Sequence, residues 1–454
     1  MLDCASITIG IIIGSGIYEA PARVAERVTD PWWFLAVWGA GGLFALVGAW
    51  CYAELATRHP EQGGDYVYLS RAFGRPIGLL FAWTQLWVIR PGSIGAMGCV
   101  FAVYAIALQK DLLPSQPPGD GAFLLYACGS IVVLSLVNML GVPFGKNVQN
   151  LLTVAKVLGL SLLVVAGLSV TAAPEPAVAV ATGANSDSPL DGLTTAMIFV
   201  LFAYSGWNEI GCVTSEVRDP QRSIGRSLLL AAAVVTAIYV GINLACLNAL
   251  GLPGIAASAA VPTDVAQLAW GRGGAILVSA LICISALGST NGMIFTGARI
   301  YYALGRRHAL FAPLGLWSRR FGTPWVSLLV QGAVTAALVV GFSRESTGVA
   351  ARYDFGRLVM FMTPPFYLFL ALSAAAVVVF RLRRDNEAEA YRSPLFPLAP
   401  LAMGAGSIFL TWRGCEYAYD QSIGNDAVWW PALWVAGTFA TGIIAAVLDR
   451  NRGD

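Results

Sequence analysis

Charge is what this chain has least of. Asp, Glu, Lys and Arg make up 12% of its 454 residues, about half the roughly 25% of a soluble domain. A soluble globular class is thereby excluded. The net charge is +2 and the basic residues are scattered through short loops, so no nucleic-acid surface is indicated. Histidine occurs twice, as His59 and His308, and both read as solvated loop residues. No nucleophile–base pair is recognisable, so the chain is not expected to be an enzyme. The eight cysteines sit in or at the ends of apolar stretches with no paired spacing. Neither a disulfide framework nor a zinc site follows from them, and no cofactor is implied. The N-terminus lacks a basic leader and a small-residue cleavage site, so its apolar run reads as a first membrane span and not a signal peptide. A span starting at Met1 leaves room for a cytoplasmic leader ahead of it.

What the chain has in abundance is apolar sequence, 57% of all residues, enough for about a dozen spans. Hydropathy and length place them at 2–27, 32–56, 77–108, 122–141, 148–171, 191–216, 227–250, 273–304, 325–343, 355–381, 396–413 and 428–448. The expected class is an all-α polytopic membrane protein of twelve transmembrane helices. An even count puts both termini on one side. Seventeen Lys and Arg residues fall on that side against eight on the other, which makes the termini cytoplasmic in the cell membrane. Segment 172–190 reads as an exposed outer loop and 381–397 as a basic cytoplasmic loop.

Within span 1, Ile9-Gly10-Ile11-Ile12-Ile13-Gly14-Ser15-Gly16-Ile17-Tyr18 is apolar enough for a bilayer yet poorly suited to a continuous helix. Non-helical backbone at membrane depth is tolerated where it is buried in protein or lines a cavity. Such a break frees N–H groups at Ser15, Gly16 and Ile17 and carbonyls just before them. That pairing suits the carboxylate and ammonium of an amino acid. The competing reading is a glycine face for close helix packing.

Span 6 repeats the theme about 190 residues later, in Phe202-Ala203-Tyr204-Ser205-Gly206-Trp207-Asn208-Glu209. Two interrupted helices in corresponding positions point to an inverted five-plus-five repeat. The repeats are 1–171 and 191–381, followed by two accessory helices and a tail over 396–454. Lys156 in span 5 lies ten residues beyond Lys146, roughly 15 Å deeper at helical rise. A lysine stem reaches only part of that distance, so Lys156 is expected to be an intramembrane cation with a partner; the alternative is a lysine snorkelling to the cytoplasmic face. Arg90-Pro91 in span 3 either faces a wet cavity or staples helices. Ser285, Ser289, Thr290 and Asn291 in span 8 either pack helices or line a route. Gln85 and Asn138 read as structural polar residues, and Thr363-Pro364-Pro365-Phe366 should locally break hydrogen bonding in span 10.

At these residues, together with Tyr52-Ala53-Glu54-Leu55, Gly63-Gly64-Asp65-Tyr66, Ile89-Arg90-Pro91 and Gly288-Ser289-Thr290-Asn291-Gly292 with Arg299, the chain resembles the amino acid–polyamine–organocation transporters. The likeness is greatest to the L-type amino acid transporter branch and its bacterial relatives, and it covers nearly the whole chain. It implies a LeuT-type inverted-repeat fold and sodium-independent amino acid transport by alternating access, as exchanger or uniporter. It further implies that Lys156 occupies the place of a sodium ion, and that Ile12, Ser15 and Gly16 contact substrate. In span 6 it assigns Phe202 as an aromatic gate, with Ser205 and Asn208 as further contacts. Ser205 stands where animal members have glycine, and the span-10 segment differs from theirs, so their substrate choice does not transfer. The 109–121 loop has no cysteine, whereas animal members use one there to bond a heavy chain, so a stand-alone transporter is expected. The alternatives are a proton-coupled symporter or a polyamine or cationic amino acid carrier, for which Glu209 is the acidic candidate. A transporter-like sensor ranks below them, since neither terminus has room for a signalling domain. Oligomeric state stays open.

Overall fold

The computed structural model describes residues 9–10, 12–14, 16–60, 63–115, 118–119, 121–141, 146–170, 189–209, 220–343, 354–384, 391–424 and 429–453. They are helical almost throughout, and the one β feature among them is an isolated bridge between Ser318 and Thr323. Ser15, most of segment 172–190 and the side chain of Glu209 lie outside the described residues.

The helices are α1 (Gly16–Ala25), α2 (Pro31–Arg58), α3 (Asp65–Phe73), α4 (Arg75–Thr84), α5 (Arg90–Leu112), α6 (Ala122–Met139) and α7 (Lys146–Ser169). After them come α8 (Pro189–Ala203), α9 (Pro220–Ala257), α10 (Val261–Arg307), α11 (Trp325–Ser343), α12 (Asp354–Arg383), α13 (Leu398–Gly424) and α14 (Trp429–Gly453). Eight of the helical stretches are long and apolar enough to cross a membrane. Two helices outrun the expected spans because each turns at a glycine: α9 at Gly251 (φ 66°) and α10 at Gly271 (φ 65°). A left-handed φ is cheap for glycine and lets the chain leave the bundle direction without ending its helical pairing.

Local chemistry fixes the ends. Asp30 caps α2 by accepting from the Trp32 N–H at 2.7 Å, with Pro31 in the first turn where its missing N–H costs nothing. Short α1 is buried on all sides, its Glu19 and Arg23 included. It packs against α8 and α9, and α2 covers both of those. The α2 contact is glycine-lined: a Cβ on Gly41, Gly42 or Gly48 would come within 2.4 Å of Val200, Thr236 and Trp207 respectively. Small residues allow that approach of backbones.

Between α4 and α5 the chain makes one π-helical turn, Gln85–Ile89, in which the Arg90 N–H donates to the Gln85 carbonyl. Tyr301 Oη donates to the same carbonyl at 3.1 Å. In α12 the helix runs unbroken through Pro364 and Pro365. The prolines lack two N–H donors, and Thr363 Oγ1 donates back to the Val359 carbonyl at 2.7 Å, so the expected break is confined to lost bonds within a continuous helix.

The two histidines are not solvated, contrary to the expectation from sequence. His308 is 3% exposed, with Nδ1 2.6 Å from Asp449 Oδ2 and Nε2 3.1 Å from Tyr66 Oη. His59 accepts from Arg71 Nη1 at 3.2 Å and sets its ring 4.5 Å from that of Phe380. The folding-back of α3 beneath the helix ends covers both.

One buried carboxylate ties this end together. Glu54, 1% exposed, accepts from Arg381 Nε at 2.7 Å, Arg381 Nη2 at 2.6 Å, Arg58 Nη2 at 3.0 Å and the Ser393 N–H at 3.1 Å. It joins α2 to the end of α12 and to the segment leading into α13. Burial, with the Glu54 charge beside it, pushes the Tyr391 phenol up, so that ring stays neutral. Glu54→Gln removes the charge and leaves two guanidinium groups unbalanced, at a cost of about 3–5 kcal/mol. The expected result is a clear fall in the thermal unfolding midpoint in detergent; an unchanged midpoint would refute the clamp.

Candidate functional site

The helical turn before α1 closes with the Ile13 N–H donating to the Ile9 carbonyl at 2.8 Å, and then regular pairing stops. The Gly14 N–H turns to the Ile12 carbonyl at 2.6 Å instead of to Gly10. The Gly10 and Ile13 carbonyls are thus released in the interior of an apolar bundle. Lys156 Nζ takes both, at 3.4 and 3.2 Å, and its third donor goes to Ser289 Oγ at 3.1 Å. The depth of Lys156 called for partners, and these are the partners. Of the polar residues noted in span 8, Ser289 makes this bond.

Helix α8 ends in the same neighbourhood. Tyr239 Oη lies 3.1 Å from both the Ile12 carbonyl and the Ala203 carbonyl, one phenol proton shared between the two interrupted helices. Tyr204 Oη donates to the Trp38 carbonyl at 3.1 Å. Ser205 Oγ donates to the Phe202 carbonyl at 2.6 Å, so its hydroxyl has lone pairs but no proton left to offer.

Both ends face a cavity of about 460 Å³, within the range of small-molecule sites. It is lined at one end by Ile12, Gly14, Gly16, Phe202, Ser205 and Asn208, and along its length by Gln85, Arg90, Ser93, Asn138, Ser289 and Asn291. Its far end reaches Gly141 and Phe321–Thr323, in the loops that follow α6 and α10. Toward the opposite end of the bundle the Phe202 ring sits 5.6 Å from Phe355, edge to face. Behind it Arg27 lies over Phe199 at 4.9 Å and donates to the Arg23 carbonyl at 2.7 Å, while Arg23 pairs with Glu26 at 2.8 Å. An aromatic and ionic plug thus closes the end away from Phe321.

Of the residues named from sequence, Ile12, Gly16, Phe202, Ser205 and Asn208 line the cavity. Ile17 is fully buried beside it and not on its wall. Lys156 stands behind the wall, holding the backbone that forms it. Gln85 and Asn138, read as structural, are on the wall. Asn138 donates to Asn291 Oδ1 at 2.6 Å, while Gln85 Oε1 is buried without a hydrogen-bond partner. The strain signal beside Gln85 was the Arg90-Pro91 pair, whose proline ring favours the π-turn just before it. Met97, Met362 and Tyr367 are also on the wall and carry no local signature, and Phe366 joins them from the double-proline segment.

A family model described as amino acid permease matches residues 1–440 of the chain. The chain is similar to the serine/threonine exchanger SteT of Bacillus subtilis, at 30% identity over 415 residues, covering 90% of this chain and 89% of the relative. It is similar to the b(0,+)-type amino acid transporter 1 of Mus musculus, at 28% over 415 residues, covering 90% and 81%. The large neutral amino acids transporter small subunit 2 of Mus musculus matches at 30% over 414 residues, covering 89% and 74%.

The two glycines of the break should respond differently to a side chain. A Cβ on Gly14 meets nothing closer than 3.8 Å, whereas one on Gly16 lies 3.2 Å from the Ala203 backbone and 3.3 Å from the Phe202 ring. Gly16→Val is expected to weaken amino acid binding at least tenfold, about 1.4 kcal/mol, with an unchanged size-exclusion profile. Gly14→Ala should retain the fold and most of the affinity. Equal behaviour of the two variants in a binding titration would count against a substrate cradle at Gly16.

Proposed function

Because the chain belongs to the amino acid permease family and moves amino acids across a membrane, we propose that it is a sodium-independent exchanger working by alternating access through the cavity between its two helix breaks. The observation that carries this reading is the ammonium of Lys156 on the Gly10 and Ile13 carbonyls. Desolvated carbonyls at a helix break need a cation, and a fixed lysine makes a bound sodium ion unnecessary.

The substrate's own two charges fit the two ends. Free N–H groups at the start of α1, with the positive end of its dipole, suit the carboxylate. The carbonyl end of α8 and the lone pairs of Ser205 suit the ammonium. Gly16 and Ile17 supply the first set, to which the sequence adds Ser15; Ile12, Ser205 and Asn208 flank the second, and Phe202 covers the substrate. Among the described residues on the wall there is one cation, Arg90, and no carboxylate. That favours neutral amino acids over polyamines or cationic amino acids. The name of the bacterial relative, a serine/threonine exchanger, accords with it.

The paired interruptions at Gly14 and after Ala203 support a five-plus-five inverted repeat over 1–171 and 191–381, with 396–454 as accessory helices. The excess of arginine on the Phe321 side supports cytoplasmic termini and an inward-facing cavity. The transporter stands alone, with no disulfide-linked heavy chain.

Purified protein in liposomes tests this. Uptake of labelled neutral amino acid should require amino acid inside the vesicles and be indifferent to external sodium. Phe202→Ala should slow exchange by more than its lost packing lowers thermal stability. Lys156→Ala should be severely impaired, since it leaves acceptors unpaired at about 1–3 kcal/mol each. A sodium requirement, or full activity of Lys156→Ala, would overturn the fixed-cation reading. Uptake driven by a proton gradient and lost in Lys156→Ala would show instead that the lysine titrates during the cycle.

A further inference from the structure

The segment between α10 and α11 has a composition that transport does not explain. It exposes Arg306, Arg307, Arg319 and Arg320 together with Leu310, Leu316, Trp317, Phe321 and Trp325. Leu316 and Trp317 are 50% and 47% exposed. From Val265 to Arg344 the sequence contains no Asp or Glu, so the segment brings no counter-charge of its own. Asp449, which approaches from α14, is engaged by His308 at 2.6 Å.

This surface is held in shape. A Cβ on Gly305 would lie 2.2 Å from the Gly315 nitrogen, so the 3₁₀ turn Ala309–Gly315 is seated directly on the end of α10. Ser327 Oγ donates to the Leu314 carbonyl at 2.9 Å. The Ser318 N–H donates to the Thr323 carbonyl and the Gly322 N–H to the Ser318 carbonyl, both at 2.8 Å. Gly322 takes φ 64°, the left-handed value the turn requires. Thr323 Oγ1 pins the turn to the Met139 carbonyl at 3.0 Å. Arg319 and Arg320 therefore stand at the tip of a tight, anchored turn. Trp317 lies against Tyr302 at 5.1 Å, and Arg320 lies over Phe321 at 5.2 Å.

We propose that this turn is a binding surface for anionic phospholipid headgroups. The segment joins two helices of a membrane protein and so lies at the bilayer surface. Tryptophan and exposed leucine there belong at the headgroup–acyl boundary, and planar guanidinium groups match phosphate oxygens in bidentate geometry. A soluble polyanion would satisfy the arginines and leave Trp317 and Leu316 in water; a phospholipid covers both. Phe321, Gly322 and Thr323 of the same turn line the far end of the transport cavity, so the bound headgroup sits at its rim. The inference is independent of substrate identity and of exchange.

The test is lipid retention by the purified full chain. Detergent-solubilised protein is incubated with phosphatidylglycerol or phosphatidylcholine, re-isolated by size exclusion, and its bound lipid quantified. Each arginine near a charged surface contributes on the order of fivefold. Wild type should therefore retain phosphatidylglycerol over phosphatidylcholine, and Arg319→Gln with Arg320→Gln should lower that preference roughly 25-fold. Both positions are exposed, so folding is preserved, which the elution profile checks. The paired change to lysine keeps the charge but loses the bidentate fork, so its preference should fall between those of wild type and the glutamine variant. Undiminished phosphatidylglycerol retention in the glutamine variant, or equal loss of both lipids, would overturn the proposal.

Discussion

A carbonyl without a partner cannot be left in a bilayer interior, and two of them, on Gly10 and Ile13, set the terms for this protein. Water is not there to take them, and an uninterrupted helix would have no free backbone group to turn toward the cavity. The single ammonium of Lys156, with three donors, satisfies both carbonyls and the Ser289 hydroxyl at 3.2–3.4 and 3.1 Å. It thereby ties α7 and α10 to the break. Tyr239 does the corresponding work between the break and the end of α8. Remove that satisfaction and the half-helices lose the reason to stop where they do.

The cavity and the clamp divide the molecule into a loose end and two tight places. At the Phe355 end, rings and ion pairs close over Phe202. At the other end Glu54 gathers Arg58, Arg381 and the Ser393 backbone, yet the cavity still extends past them to Phe321. The two tight places thus rest on different chemistry: edge-to-face rings with ion pairs behind them at one, and saturated charge at the other. An alternating mechanism needs both to be reversible, and neither depends on a covalent link.

The helix breaks and the depth of Lys156 were legible because their signals are local: two glycines flanking a serine, and a ten-residue count from Lys146. Phe202, Ser205 and Asn208 flank the second break and were assigned through the family resemblance, not by a local signal. What lay hidden depends on neighbours far away in sequence. Gln85 and Asn138 looked like isolated polar residues because the π-turn that aims one, and Asn291 that meets the other, are visible only in three dimensions. The histidines were misread for the same reason. A loop residue is solvated by default, and nothing within a few positions of His308 discloses that Asp449, from the last helix, will cover it. The double proline removes two N–H donors as its sequence requires, and the helix nevertheless continues because packing holds the turn and a threonine hydroxyl occupies a nearby carbonyl.

The glycine face of α2 has a mechanical consequence. Val200, Thr236 and Trp207 fill the spaces where Cβ atoms would be on Gly41, Gly42 and Gly48. Surfaces meshed this way behave like a keyed shaft: sliding by a fraction of a residue drives a side chain into backbone. Helices α2, α8 and α9 therefore have no shear plane between them and must travel as one piece. Movement against the rest of the bundle is easiest along the cavity, where Ile198, Phe202 and Ala203 of α8 face Arg90, Ser93 and Met97 of α5 across open space, so the polar groove proposed as the substrate route is also the joint.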